Sequence, residues 1–110
     1  MENRVGIDIV SIKRIEKLYQ NYGIRLLKRI LSEEEYKYFE NRTKKLEFLA
    51  GRFAAKEAIT KVLDKPCPLS SLTIDYSYGN RPFLRGHPDI FISISHDGDF
   101  AIAVAVKVQQ

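Results

Sequence analysis

A chain of 110 residues with 45% hydrophobic and 29% charged side chains has the size of one domain, with enough apolar content for a core between two packed layers, and is not a disordered segment. Its formal net charge of +4 and pI near 9.2 favour an acidic or phosphorylated partner. No apolar run approaches the roughly 18 residues of a membrane span, Met1 to Arg4 lacks the order of a secretion signal, and the single Cys67 between two prolines excludes an internal disulfide, so one cytoplasmic domain over residues 1–110 is expected.

Arg4 to Val10 alternates as a strand, with Val5, Ile7 and Ile9 on one face and Gly6, Asp8 and Val10 on the other. Aspartate suits a strand poorly and is costly to bury unpaired, so Asp8 either points to solvent or has a functional reason to be there. Ser11 is the N-cap of a helix running to about Tyr22, where Gly23 stops it. Lys13, Arg14 and Lys17 on its exposed side, continued by Arg25, Lys28 and Arg29, form either a solvated face or a basic docking surface.

Ile24 to Leu31 predicts a short helix, and Ser32 with Glu35 three residues on is a capping box that starts another, bearing Tyr36 and Phe39. A polar link, Asn41 to Lys45, leads to a long helix from about Leu46 to Asp64 that is apolar nearly all round and therefore buried. Four charges interrupt it. Glu57 and Lys61 share a face one turn apart, which by itself reads as an ordinary ion pair. Arg52 and Lys56, also one turn apart, repel each other by roughly 0.2–0.5 kcal/mol in an isolated helix, so they either reach solvent or meet a negative group.

After Lys65-Pro66-Cys67-Pro68 the pattern is β-like. Leu72 to Tyr78 alternates, Gly79-Asn80-Arg81-Pro82 turns the chain into a short strand from Phe83 to Arg85, and Ile90 to Ser95 and Phe100 to Val108 flank an Asp97-Gly98 hairpin turn. One N-terminal strand plus three or four C-terminal ones, with the helices inserted after the first, predicts an α+β two-layer domain: helices packed on one face of a mostly antiparallel sheet. His96, close to Ser93 and Ser95 and to the turn, is either a turn residue or a phosphate or ribose contact.

Three stretches in this order, Val5-Gly6-Ile7-Asp8-Ile9-Val10, then Gly51 to Ala58 with Lys61, then Ser93-Ile94-Ser95-His96 with Ala101 in the next strand, resemble the 4'-phosphopantetheinyl transferases. The short length and the segment from Leu31 to Phe39 are most similar to the stand-alone holo-acyl-carrier-protein synthases of bacteria. That resemblance implies Mg²⁺-dependent transfer of the phosphopantetheine arm of coenzyme A to a serine of acyl carrier protein, in support of fatty acid biosynthesis, by a homotrimer with sites between subunits. It implies Asp8 and Glu57 as metal ligands, Lys61 as the cation facing the leaving group, and Arg52, Lys56 and His96 as contacts to coenzyme A, although Lys56 could instead orient the site without touching ligand. Arg14 occupies the position of a docking arginine for the acidic carrier. Removal of the serine proton is left between Glu57 and a water on the metal.

Three departures stand against this pattern. Gly79-Asn80 inverts the usual order of that turn, only Arg85 to Asp89 stand where a helix is usual, and Asp97 puts an acid beside the expected phosphate site. The alternative, a small basic module binding RNA or an acidic protein, requires exposed aromatics among the basic residues of the sheet. Tyr76 and Tyr78 could serve, but the basic residues gather on the helices, and neither nucleic acid nor membrane is expected as a partner.

Overall fold

Described over residues 2–109 in a computed structural model, the chain runs β1 (Arg4–Ser11), α1 (Ile12–Tyr22), α2 (Ile24–Ile30), α3 (Glu33–Glu40), α4 (Lys45–Thr60), a 3-10 turn (Leu69–Ser71), β2 (Ile74–Ser77), β3 (Arg81–Leu84), β4 (Ile90–Asp97) and β5 (Phe100–Lys107). Local chemistry fixes the helix ends. The Ser11 hydroxyl accepts from the Arg14 N–H, the Gly23 N–H donates to the Tyr19 carbonyl, and both arms of the Ser32–Glu35 capping box form. Helix α4 stops at Thr60, short of the expected Asp64, because the N–H groups of Lys61 and Val62 turn to the carbonyls three residues back and tighten the last turn.

The β-segments form two sheets where the pattern predicts one. Strands β1, β5 and β4 make an antiparallel sheet in that spatial order, and β2 pairs only with β3. Arg81 and Pro82 belong to β3, and the turn before it is Tyr78 to Asn80, with Gly79 at φ 80° and Asn80 at φ 58°, a conformation asparagine tolerates. The last hairpin turns on Gly98-Asp99, one residue later than expected.

Helix α4 lies across the three-stranded sheet and makes the second layer, so the two-layer α+β architecture is as expected. Its approach is close. A Cβ on Gly6 would come within 2.2 Å of the Ala58 carbonyl oxygen, and the central strand under the helix contributes small residues, Ala101, Ala103 and Ala105, all buried. In β1 it is therefore the face of Gly6, Asp8 and Val10 that packs on the helix, while Val5, Ile7 and Ile9, the more apolar set, are exposed.

The β2–β3 hairpin is tied to the helices through Asp75. Tyr38 donates its hydroxyl to this carboxylate, Arg85 Nη2 donates at 2.6 Å and the Tyr76 N–H at 2.9 Å. With the Tyr38 bond the largest cause and Arg85 the next, the Asp75 carboxyl is held down to about 2. A depressed carboxyl stabilises the fold above its unfolded value near 4, and that contribution is lost as pH falls through about 2. Chemical denaturation at pH 5 and pH 2 should reveal a loss of about 1–2 kcal/mol in the native chain that Asp75→Asn does not show; equal slopes in the two proteins would contradict it.

Candidate active site

Asp8 on β1 shares the helix-facing side of the strand with Gly6, and the contact of Gly6 with Ala58 sets it beside the end of α4. Lys61, the C-cap of that helix, donates to the Ile7 carbonyl at 2.6 Å, and its ammonium lies 3.9 Å from the Asp8 carboxylate. Lys61 thus pairs with Asp8 and not with Glu57, one turn before it. Asp8 is 24% exposed, and burial, the largest influence, pushes its carboxyl up against the opposing pull of Lys61 and Arg14. Arg14, in the first turn of α1, therefore stands at the same corner.

Glu57 is half-buried and lines a cavity of about 900 Å³ between α1, α2, α4 and the 3-10 turn, whose walls include Leu18, Leu26 and Phe53. Among the described residues no group of three or more His, Cys, Asp and Glu side chains is arranged to hold a metal ion. Mg²⁺ needs no such group, since it takes one or two carboxylates and completes its shell with water and phosphate oxygens. Asp8 is a partly buried carboxylate with one cation at 3.9 Å, while Glu57 stands four residues before that cation on α4 and lines the 900 Å³ cavity, whose walls do not include Asp8.

Lys56 must be corrected. Its ammonium is wholly buried, bonded to the Glu35 carboxylate, and also donates to the carbonyls of Ile30 at 2.7 Å, Leu72 at 2.6 Å and Leu69 at 3.1 Å. It ties α4 to α2, α3 and the turn before β2, and with no exposed surface it suits the alternative of orienting the site without touching ligand. Burial pushes this ammonium down, against the pull of Glu35. The negative group that Arg52 and Lys56 require is thus Glu35, three residues after Ser32. One Glu35 oxygen closes the capping box and takes the Lys56 ammonium, while the other accepts from the Ile74 N–H at 2.9 Å. Arg52 Nε stands 3.2 Å from that second oxygen, near enough to attract but misaligned for a hydrogen bond.

Arg52 is buried as well, stacked over Phe48 and Tyr76, but it borders a second cavity of about 410 Å³ together with Arg42, Lys44, Asn80 and His96. Strand alternation puts His96 on the face of Ile92 and Ile94 and leaves Ser93 and Ser95 on the other, so the hydroxyls suggested by the sequence are not its partners. The same alternation turns Asp97 away. The acid beside His96 is Glu47, whose carbonyl lies 3.0 Å from Nε2 and whose carboxylate lies 3.6 Å from Nδ1. The ring packs closely on Gly51: a Cβ there would be 3.0 Å from Nε2, so a larger residue would need the ring to give by a few tenths of an ångström. The pattern of α4 marked Glu57 and Lys61 but gave no sign of Glu47, since an acid in a first helical turn is commonplace.

Comparison with known proteins gives one answer. The model of the 4'-phosphopantetheinyl transferase superfamily matches residues 4–105. The holo-acyl-carrier-protein synthase of Mycoplasma capricolum is 42% identical over 111 residues, covering 97% of this chain and 96% of its own. Among solved structures, the holo-acyl-carrier-protein synthase of Neisseria meningitidis superposes with a TM-score of 0.87 at 29% identity, covering 96% of this chain and 97% of that one. The Helicobacter pylori counterpart, solved in complex with coenzyme A, gives a TM-score of 0.79 at 35% identity, covering 93% of this chain and 97% of its own.

Proposed function

We infer the reaction from membership: the chain belongs to the 4'-phosphopantetheinyl transferase superfamily, and it transfers the 4'-phosphopantetheine group of coenzyme A to a serine of apo acyl carrier protein, releasing adenosine 3',5'-bisphosphate. The observation that carries this is the match to a named holo-acyl-carrier-protein synthase across 97% of the chain. With it go the finer parts of the reading: Mg²⁺ as the metal, a cytoplasmic setting and a role in fatty acid biosynthesis.

Asp8 and Glu57 would hold the Mg²⁺, which when bound would polarise the pyrophosphate under attack. Lys61, anchored on the Ile7 carbonyl at 2.6 Å, keeps a positive charge beside Asp8, where it neutralises charge developing on the leaving phosphate. Arg52 and His96 take the nucleotide end in the 410 Å³ cavity. Arg14, with Lys13 and Lys17 on the same helix, draws in the acidic carrier. Lys56 holds α4 in position from beneath.

Incubating the protein with coenzyme A, Mg²⁺ and apo acyl carrier protein should add the mass of phosphopantetheine to the carrier, read by intact mass spectrometry. A competent carrier left without added mass would overturn the reading.

The sheet supports the homotrimer. Its outer face carries Val5, Ile7, Ile9, Phe91 and Ile102, with Ile7 57% and Phe91 61% exposed. Register aligns Val5 with Val106 and Val106 with Phe91, so these side chains form one continuous apolar surface of the kind that marks an interface. Light scattering should give the mass of three 12.7 kDa protomers for the native chain and of one for Phe91→Asp. A native chain at the mass of one protomer would contradict the trimer.

A further inference from the structure

Three permanent cations line the 410 Å³ cavity, Arg42, Lys44 and Arg52, and two of them already stand against an acid. The Arg52 Nε lies 3.2 Å from the Glu35 carboxylate, and the Lys44 ammonium 4.0 Å from that of Glu47. Among the described residues Arg42 has no carboxylate within ion-pair distance.

Its half-buried guanidinium is nonetheless fixed. It lies 4.9 Å from the centre of the Phe48 ring and 5.5 Å from that of Tyr76, and Nη2 donates to the Tyr76 hydroxyl at 2.7 Å. The remaining N–H groups of its fork meet no acceptor among the described residues. Arg52 stacks over the same two rings, 4.6 Å from Phe48 and 5.2 Å from Tyr76. Two guanidinium groups are thus gathered at one pair of rings, and only that of Arg52 has an acid to offset its charge. A guanidinium ordered in advance loses little freedom when it meets an anion, and its planar fork matches phosphate. In the sequence Arg42 belongs to the polar link from Asn41 to Lys45, where nothing sets it apart from its basic neighbours.

We propose that Arg42 is a further binding residue for coenzyme A, donating from the open side of its fork to a phosphate oxygen of the nucleotide end, beside Arg52. This rests on the assignment of the cavity to that end of coenzyme A. A role confined to tying the loop before α4 to the β2–β3 hairpin through Tyr76 would lower affinity only as far as it loosens the fold, whatever the ionic strength.

Isothermal titration calorimetry of coenzyme A, with Mg²⁺ present, into the native chain, Arg42→Met and Arg42→Lys at about 50 mM and about 500 mM salt separates the two roles. The methionine keeps an unbranched stem over Phe48 and removes the charge, whereas the lysine keeps the charge and loses the fork. The expected result is roughly tenfold weaker binding by Arg42→Met at low salt, shrinking to within about threefold at high salt, with Arg42→Lys between the two. In the transfer assay the KM for acyl carrier protein should change less than about twofold, since Arg42 faces the nucleotide and not the carrier. Dephospho-coenzyme A identifies the phosphate: a loss that persists with it places Arg42 on the pyrophosphate, and a loss confined to coenzyme A places it on the 3'-phosphate. Binding of coenzyme A by Arg42→Met within about twofold of native at low salt would overturn the role of Arg42. A loss of equal size at both salt concentrations would also overturn it and leave Arg42 as a structural tie. Failure of the native chain to bind coenzyme A would overturn the assignment of the cavity, and this role with it.

Discussion

Replacement of Glu35 by alanine is expected to cost about 3–5 kcal/mol, much of the stability of a domain this size, because it strands the Lys56 ammonium and the Arg52 guanidinium without their counter-charge. Removing one member of a buried pair is far more damaging than replacing the set. The midpoint of thermal unfolding should fall by roughly 15 °C, and the triple variant Glu35→Leu, Arg52→Met and Lys56→Met, which removes the whole charged set, should recover part of that loss. A single variant shifted by less than about 1 kcal/mol would mean that the ammonium is hydrated in solution and that the network contributes little.

The second large effect falls on activity. Asp8→Asn and Glu57→Gln are each expected to lower the rate of transfer at least about a thousandfold, a loss of some 4 kcal/mol of transition-state stabilisation, with thermal midpoints near that of the native chain. Stability should survive at Asp8 because burial already disfavours its charge, so a neutral amide of the same shape costs the fold nothing. Turnover within tenfold of native for either variant would remove that residue from the metal site. A coincident collapse of the midpoint would instead mark the carboxylate as structural.

The helices and the positions of the strands along the chain were legible in the sequence because each rests on short-range chemistry. A Ser11 cap, a Ser32–Glu35 box and the alternation of β1 are local patterns that tertiary context did not override. What could not be read is what local pattern does not encode. The like charges of Arg52 and Lys56 announced a negative partner, but the partner is an acid 21 residues before Lys56 and not a ligand phosphate. Glu35 had been identified, correctly, as a capping residue, and nothing in its spacing tells that its second oxygen faces the core. Likewise the face of β1 with three β-branched side chains is the outward one. Its inner face had to be thin to admit α4, and only the contact between Gly6 and Ala58 reveals that.

The pairing of β1 with β5 also orders events in time. Asp8 sits opposite Ala103, and among the described residues its strand has no other ladder partner, so the opening segment stays unpaired until β5 has been made. A helix carrying Glu57 can form long before that from contacts close in sequence, whereas pairing Asp8 with Ala103 requires closure of one of the longest loops in the molecule. A nascent or clipped chain lacking its final strand would leave β1 held by its contacts at α4, Gly6 on Ala58 and the Ile7 carbonyl on Lys61. The second flank of β1, and with it full support for Asp8, arrives only with β5.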